Sequence, residues 1–136
     1  MRNKRIKRNS FLMEIPHFGN LYMYEVLDNF IYPRIFIATN DADEKILMYE
    51  MVNGYKDKEQ DLWLAVSIGE EVYNRLMKGL ISIQNAFLDR IFRFCIIYDY
   101  TEEVGSILDD TEDFIDKLPV KPLYVKKDDT GVYSVE

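Results

Sequence analysis

The chain has 136 residues, 48% hydrophobic and 14% aromatic, with ten Tyr, eight Phe and one Trp. That is one ordinary domain's length and too much core-forming material for a disordered protein. The formal net charge is −7 from 17 basic and 24 acidic residues, and no apolar run approaches the roughly 20 residues needed to span a bilayer.

Charge is distributed unevenly. Residues 1–10 hold five basic side chains, Arg2, Lys4, Arg5, Lys7 and Arg8, and no acidic one. They lack periodicity and read as a flexible basic arm, leaving residues 11–136 as a single α+β domain with a net charge of −12.

Order is expected from near Phe11. Leu21–Leu27 has the aromatic and β-branched content of a strand, and Asp28-Asn29 is read as the turn that ends it. Pro33 suits the first position of the next strand, because proline cannot donate to a ladder from a central position. Arg34–Thr39 continues that strand, Asn40–Asp43 is a polar turn, Lys45–Val52 is a further strand and Asn53-Gly54 is a reversal signal.

A charged loop, Tyr55–Gln60, then leads to the strand Leu62–Val66. The apolar period changes after it. Ser67 and Glu70 have capping-box spacing, Val72, Tyr73, Leu76 and Met77 recur at helical intervals, and Lys78-Gly79 reads as a helix end. Ser82 is placed to cap a short second helix through Leu88, and Arg90–Tyr98 reads as another strand.

Thr111 can cap a helix through Leu118, with Pro119 and Pro122 breaking it. Two short strands, Leu123–Lys126 and Val132–Val135, flank Asp128–Gly131 and suggest a hairpin with glycine in the left-handed position. The order of elements predicts an α+β fold: a mainly antiparallel meander, one or two short helices packed on it, and a C-terminal hairpin.

Between Leu21 and Leu88 the chain resembles a family of small uncharacterised bacterial domains of unknown function. The resemblance is carried by Pro33-Arg34-Ile35-Phe36, by Leu62-Trp63-Leu64, and by Arg75 to Phe87 with Lys78-Gly79 inside it. It implies a compact α+β domain and transfers no activity.

Chemistry-bearing residues are sparse. Cys95, the only cysteine, lies in an apolar run, reads as a buried structural thiol in a reducing compartment, and implies a cytoplasmic protein. His17 is the only histidine, so one chain cannot assemble a zinc site of four Cys and His ligands. No phosphate loop or nucleophile elbow occurs, no catalytic or metal-binding residue is assigned, and no cofactor is implied.

Eight carboxylates and no basic residue lie between Asp99 and Asp116. Such a surface disfavours phosphate backbones but can imitate them, and in this it resembles small acidic phage-encoded inhibitors. The first reading is therefore a non-enzymatic interaction module, a bacterial or phage regulator or inhibitor. It would meet a protein partner through Glu102, Glu103, Asp109, Asp110, Glu112, Asp113 and Asp116, with help from sheet aromatics and from exposed members of the set Tyr22, Tyr24, Tyr49, Trp63 and Tyr73.

Two alternatives stay open: a nucleic-acid-associated protein using the basic arm, and a hydrolase or metal-dependent enzyme using His17 with carboxylates. Self-association also stays open.

Overall fold

The computed structural model describes residues 11–15, 19–29, 33–51, 60–88, 93–99, 103–108 and 118–136. In chain order its elements are β1 (Phe11–Ile15), β2 (Gly19–Asn29), β3 (Pro33–Asn40), β4 (Lys45–Glu50), β5 (Gln60–Ile68), α1 (Glu70–Met77), α2 (Ile83–Leu88), β6 (Arg93–Asp99), β7 (Val104–Leu108), β8 (Val125–Lys127) and β9 (Tyr133–Val135). Strands β1 to β7 form one antiparallel sheet in sequence order, and β8 pairs with β9 as a separate hairpin. The fold is the expected α+β meander with short helices and a terminal hairpin.

The middle strands are apolar on both faces. Ile35, Ile37, Leu47, Leu62, Leu64, Val66 and Cys95 face one way, while Phe36, Ala38, Ile46, Met48, Trp63, Ala65 and Ile96 face the other. Strand side chains alternate between faces, so each face needs its own cover.

The first face is covered by Leu76 of α1, by Ile83, Ala86 and Phe87 of α2, and by Leu118 and Val125. The second is covered by the sheet itself. It curls until β7 meets β1, and a Cβ on Gly105 would lie 3.0 Å from Ile15 Cγ1 and 3.1 Å from Met13 Sδ. Met13, Ile15, Leu21, Phe36 and Trp63 fill the enclosed space, with the Phe36 and Trp63 rings edge to face at 5.1 Å.

Local sequence explains the joints. Lys78 caps the end of α1, Gly79 follows at φ 73°, and the amides of Gly79 and Leu80 return to the carbonyls of Leu76 and Arg75. Ser82 caps α2 by accepting from the Asn85 amide at 3.0 Å, and Gly131 takes φ 88° in the terminal turn, both as expected. Pro33 opens β3.

Other expectations change. Ser67 is not a helix cap: it lies in β5 opposite Ile46, and Gly69 is the N-cap of α1 without a side-chain cap bond. Pairing with β4 outcompetes the local capping box. Asp28 and Asn29 belong to β2, not to a turn. β1 and β7 are strands that the sequence pattern did not mark.

The Asn53-Gly54 reversal and most of the proposed 111–118 helix lie outside the described residues, and Leu118 itself is not helical. Among the described residues, no helix is long and apolar enough to cross a membrane.

Closure at Gly105 makes a prediction. Gly105→Ala places a methyl against Ile15 and should lower stability by about 1–2 kcal/mol, as overpacking does. Urea unfolding should show a lower midpoint at an unchanged slope, and an unchanged midpoint would show that β1 and β7 are not in close contact.

Candidate functional site

Two clusters of polar and aromatic groups and one groove stand out. The first cluster joins β2, β4 and α1. A register shift between Met23 and Glu25 bulges β2, so that Tyr24 and Glu25 both reach Tyr73. The Tyr24 and Tyr73 rings meet edge to face at 6.1 Å, and the Tyr73 hydroxyl donates to Glu25 Oε1.

Lys45 places its ammonium 5.2 Å and 4.9 Å from the two ring centroids and pairs with Glu70 at 2.5 Å. Burial, and then the neighbouring Glu25 carboxylate, push the Tyr73 hydroxyl far above the usual tyrosine range. Beside the cluster, Asp43, Glu44, Ser67 and Gly69 line a polar hollow of about 340 Å³. Its one ammonium is already committed to Glu70, so the cluster acts as a fastening between α1 and the sheet.

The second cluster lies at one end of the enclosed face, where buried Glu50 pairs with Arg34 Nε at 3.8 Å. Asp61 stands opposite Tyr98 in the β5–β6 ladder nearby. These groups keep charge at the rim of an interior otherwise packed with Phe36, Trp63 and Met48.

The groove lies on the far side of α2. Residues 118–123 have no regular structure, yet one side chain holds them. Gln84, 8% exposed, donates from Nε2 to the carbonyls of Pro119 and Lys121, both at 2.8 Å, and accepts from the Leu123 amide at 3.0 Å. The Ile83 amide adds a bond to the Leu123 carbonyl at 2.8 Å.

Pro119 and Pro122 have no N–H to satisfy, and their fixed φ lowers the entropy lost on ordering the segment. Leu118 anchors it in the first core cluster. The segment is therefore a fixed wall.

Between this wall and α2 runs a groove of about 400 Å³, with Ser82, Asn85 and Leu88 on one side and Pro119, Val120 and Pro122 on the other. Val120 is 99% exposed and Leu88 56%. The Ser82 hydroxyl is occupied as the α2 cap. Two exposed aliphatic side chains, Leu88 and Val120, on the lining of one groove suit contact with another molecule's apolar side chain.

The sequence-derived site residues are mostly not brought together in what is described. Glu103 is exposed at φ 56° in the turn between β6 and β7, and Asp99 ends β6. Glu102, Asp109, Asp110, Glu112, Asp113 and Asp116 lie outside the described residues, as do His17 and the basic residues Arg2, Lys4, Arg5, Lys7 and Arg8. β7 separates the carboxylates that precede it from those that follow it.

Of the candidate contact aromatics, Trp63 is only 6% exposed and packs inside the curl, so it is core and not contact surface. Tyr24, Tyr49 and Tyr73 are partly buried against the helix-covered face. Cys95 is buried, as its apolar run implied. Among the described residues, no group of three or more His, Cys, Asp or Glu side chains could hold a metal ion.

The model of a family of unknown function, DUF6575, matches residues 9–129. The chain belongs to DUF6575. No curated protein and no solved structure matches it. The DUF6575 match extends the resemblance seen over 21–88 to β1, β6, β7 and the wall of the groove.

The clamp and the fastening can be tested separately. Gln84→Ala removes three buried hydrogen bonds at about 1 kcal/mol each and should lower stability by roughly 2–4 kcal/mol in urea unfolding. Gln84→Glu keeps the acceptor for Leu123 but sets a carboxylate against two carbonyls, so its deficit should shrink as pH falls and the acid protonates. A pH-independent deficit would contradict the clamp.

Tyr73 is protonated in the fold at pH values where a free tyrosine ionises. Its contribution is complete below about pH 10 and is lost as pH rises further. Tyr73→Phe should therefore flatten the alkaline fall in stability, and an identical alkaline profile would remove the Tyr73–Glu25 fastening.

Proposed function

We propose that this DUF6575 chain is a non-enzymatic protein-interaction module, a regulator or inhibitor of bacterial or phage origin acting in the cytoplasm. Its partner docks on the groove between α2 and residues 118–122 and is attracted by the carboxylates that precede Leu118. The observation that carries the reading is Val120, almost wholly exposed on a wall that Gln84 holds in place.

Single exposed aliphatic residues are ordinary on protein surfaces. This one shares the lining of a groove with the exposed Leu88, and covering such a pair is worth about 1.5–3 kcal/mol for each side chain fully buried. A fixed wall also loses little entropy on binding. The acidic balance adds attraction for a basic partner and faster encounter. The buried Cys95, the only cysteine of the chain, suits a reducing compartment.

Affinity capture from the native host, read by mass spectrometry, tests this reading with three baits: the unaltered chain, Val120→Ser, and a chain with lysine at 109, 110 and 113. One protein should be retained by the unaltered chain and depleted with both variants. Equal recovery by all three would overturn the reading.

A further inference from the structure

We infer that α1 is a releasable lid: Gly69 to Gly79 opens as a unit while the rest of the fold stays closed, and uncovers a patch of the sheet made by Tyr24, Glu25 and Lys45. The two helices are held in different ways. α2 buries four of its six residues, Ile83, Gln84, Ala86 and Phe87, whereas α1 buries only Leu76 of its eight. Val72, Tyr73 and Met77 are partly buried against the core, and Glu70, Glu71, Asn74 and Arg75 are exposed. Two polar links tie α1 to the sheet, the Tyr73 hydroxyl on Glu25 and the Glu70 carboxylate on Lys45. Neither link is fully buried, and such pairs hold weakly.

Glycine stands at both ends of the lid. Gly79 takes a left-handed backbone and lies against the Val125 carbonyl, which a Cβ would approach to 3.0 Å. Gly69 has neither reason to be glycine. Its φ of −84° suits any residue, and a Cβ there would meet nothing within 4 Å. A serine or aspartate in its place could add a capping bond to α1, which has none from a side chain. Glycine instead gives this junction the most backbone freedom once it is released, which favours opening.

A helix of eight residues does not persist alone in water, so α1 unwinds as it leaves the sheet. The rest of the roof stays, because Ile83, Ala86, Phe87, Leu118 and Val125 pack on the same core cluster from outside the lid. Opening frees the Lys45 ammonium from Glu70 and the Tyr73 ring, and the Glu25 carboxylate from the Tyr73 hydroxyl. A cation and an anion are then presented beside the Tyr24 ring, which lies 5.2 Å from the ammonium. Any molecule that binds this patch binds the open form, so its apparent affinity is scaled by the fraction open.

Native-state hydrogen exchange of the full chain, followed amide by amide, tests the lid. The amides from Tyr73 to Met77 should share one opening frequency, at least about tenfold higher than that of the β5 amides. Lys45→Met, which breaks the pair with Glu70 and keeps the aliphatic stem, should raise the shared frequency about two- to fivefold. Gly69→Ala should lower it about two- to fivefold. Gly105→Ala, which strains the β1–β7 seam whether α1 is on or off the sheet, should leave it unchanged while the β5 amides exchange faster.

Equal opening frequencies in α1 and β5 overturn the inference, because α1 then leaves only with the whole fold. So does a Gly105→Ala effect of the same size on both. Frequencies that differ residue by residue, falling steadily inward from the helix ends, overturn it in favour of simple fraying. An α1 frequency that is unchanged or raised by Gly69→Ala overturns the assignment of Gly69 as the hinge.

Discussion

The structure depends on burying a sheet whose central strands are apolar on both faces. A flat meander would leave either Ile35, Leu47 and Leu64 or Phe36, Met48 and Trp63 in water, at about 1.5–3 kcal/mol for each large side chain left exposed. The chain answers with two different covers. Curling the sheet brings β1 onto β7 and shelters one face, and Gly105 permits the approach because a side chain there would strike Ile15. The other face is roofed by α1, α2, Leu118 and the β8–β9 hairpin.

The second cover is what creates a surface with shape. To bring Leu118 and Val125 onto the sheet, the chain must cross α2 in an irregular path, and irregular backbone near a core needs hydrogen-bond partners. Gln84 supplies three of them from one side chain, and two prolines reduce the demand. Val120 is then left outward by a wall that cannot collapse over it. The groove is thus a by-product of roofing the sheet, formed without any sacrifice of core.

Much of this was legible in the sequence where the signal was local. Ser82 three residues before Asn85, glycine at 79 and 131, and proline at 33 each sit where backbone geometry demands that residue type. Signals failed where a distant contact outweighed a local one. Ser67 looks like a cap, yet its backbone is claimed by β4. β7 is short and set among acids, and what makes it a strand is pairing with β6 and contact with β1.

The groove was invisible for the same reason. Its walls lie more than 30 residues apart in sequence, and an isolated glutamine in a short helix carries no mark of the carbonyls it will meet. The charges that the sequence did display lie before β1 and on either side of β7, largely outside the framework that these contacts define. In the proposed function the fold contributes the shaped apolar contact and those charges contribute the attraction.

Native-state hydrogen exchange at the Leu123 amide tests most directly whether the wall is fixed before any partner arrives. With Gln84 Oε1 as its acceptor, that amide should open as rarely as the amides of β5 and exchange only with unfolding of the domain. Exchange at the rate of an unprotected loop amide, with β5 still protected, would contradict a preformed groove.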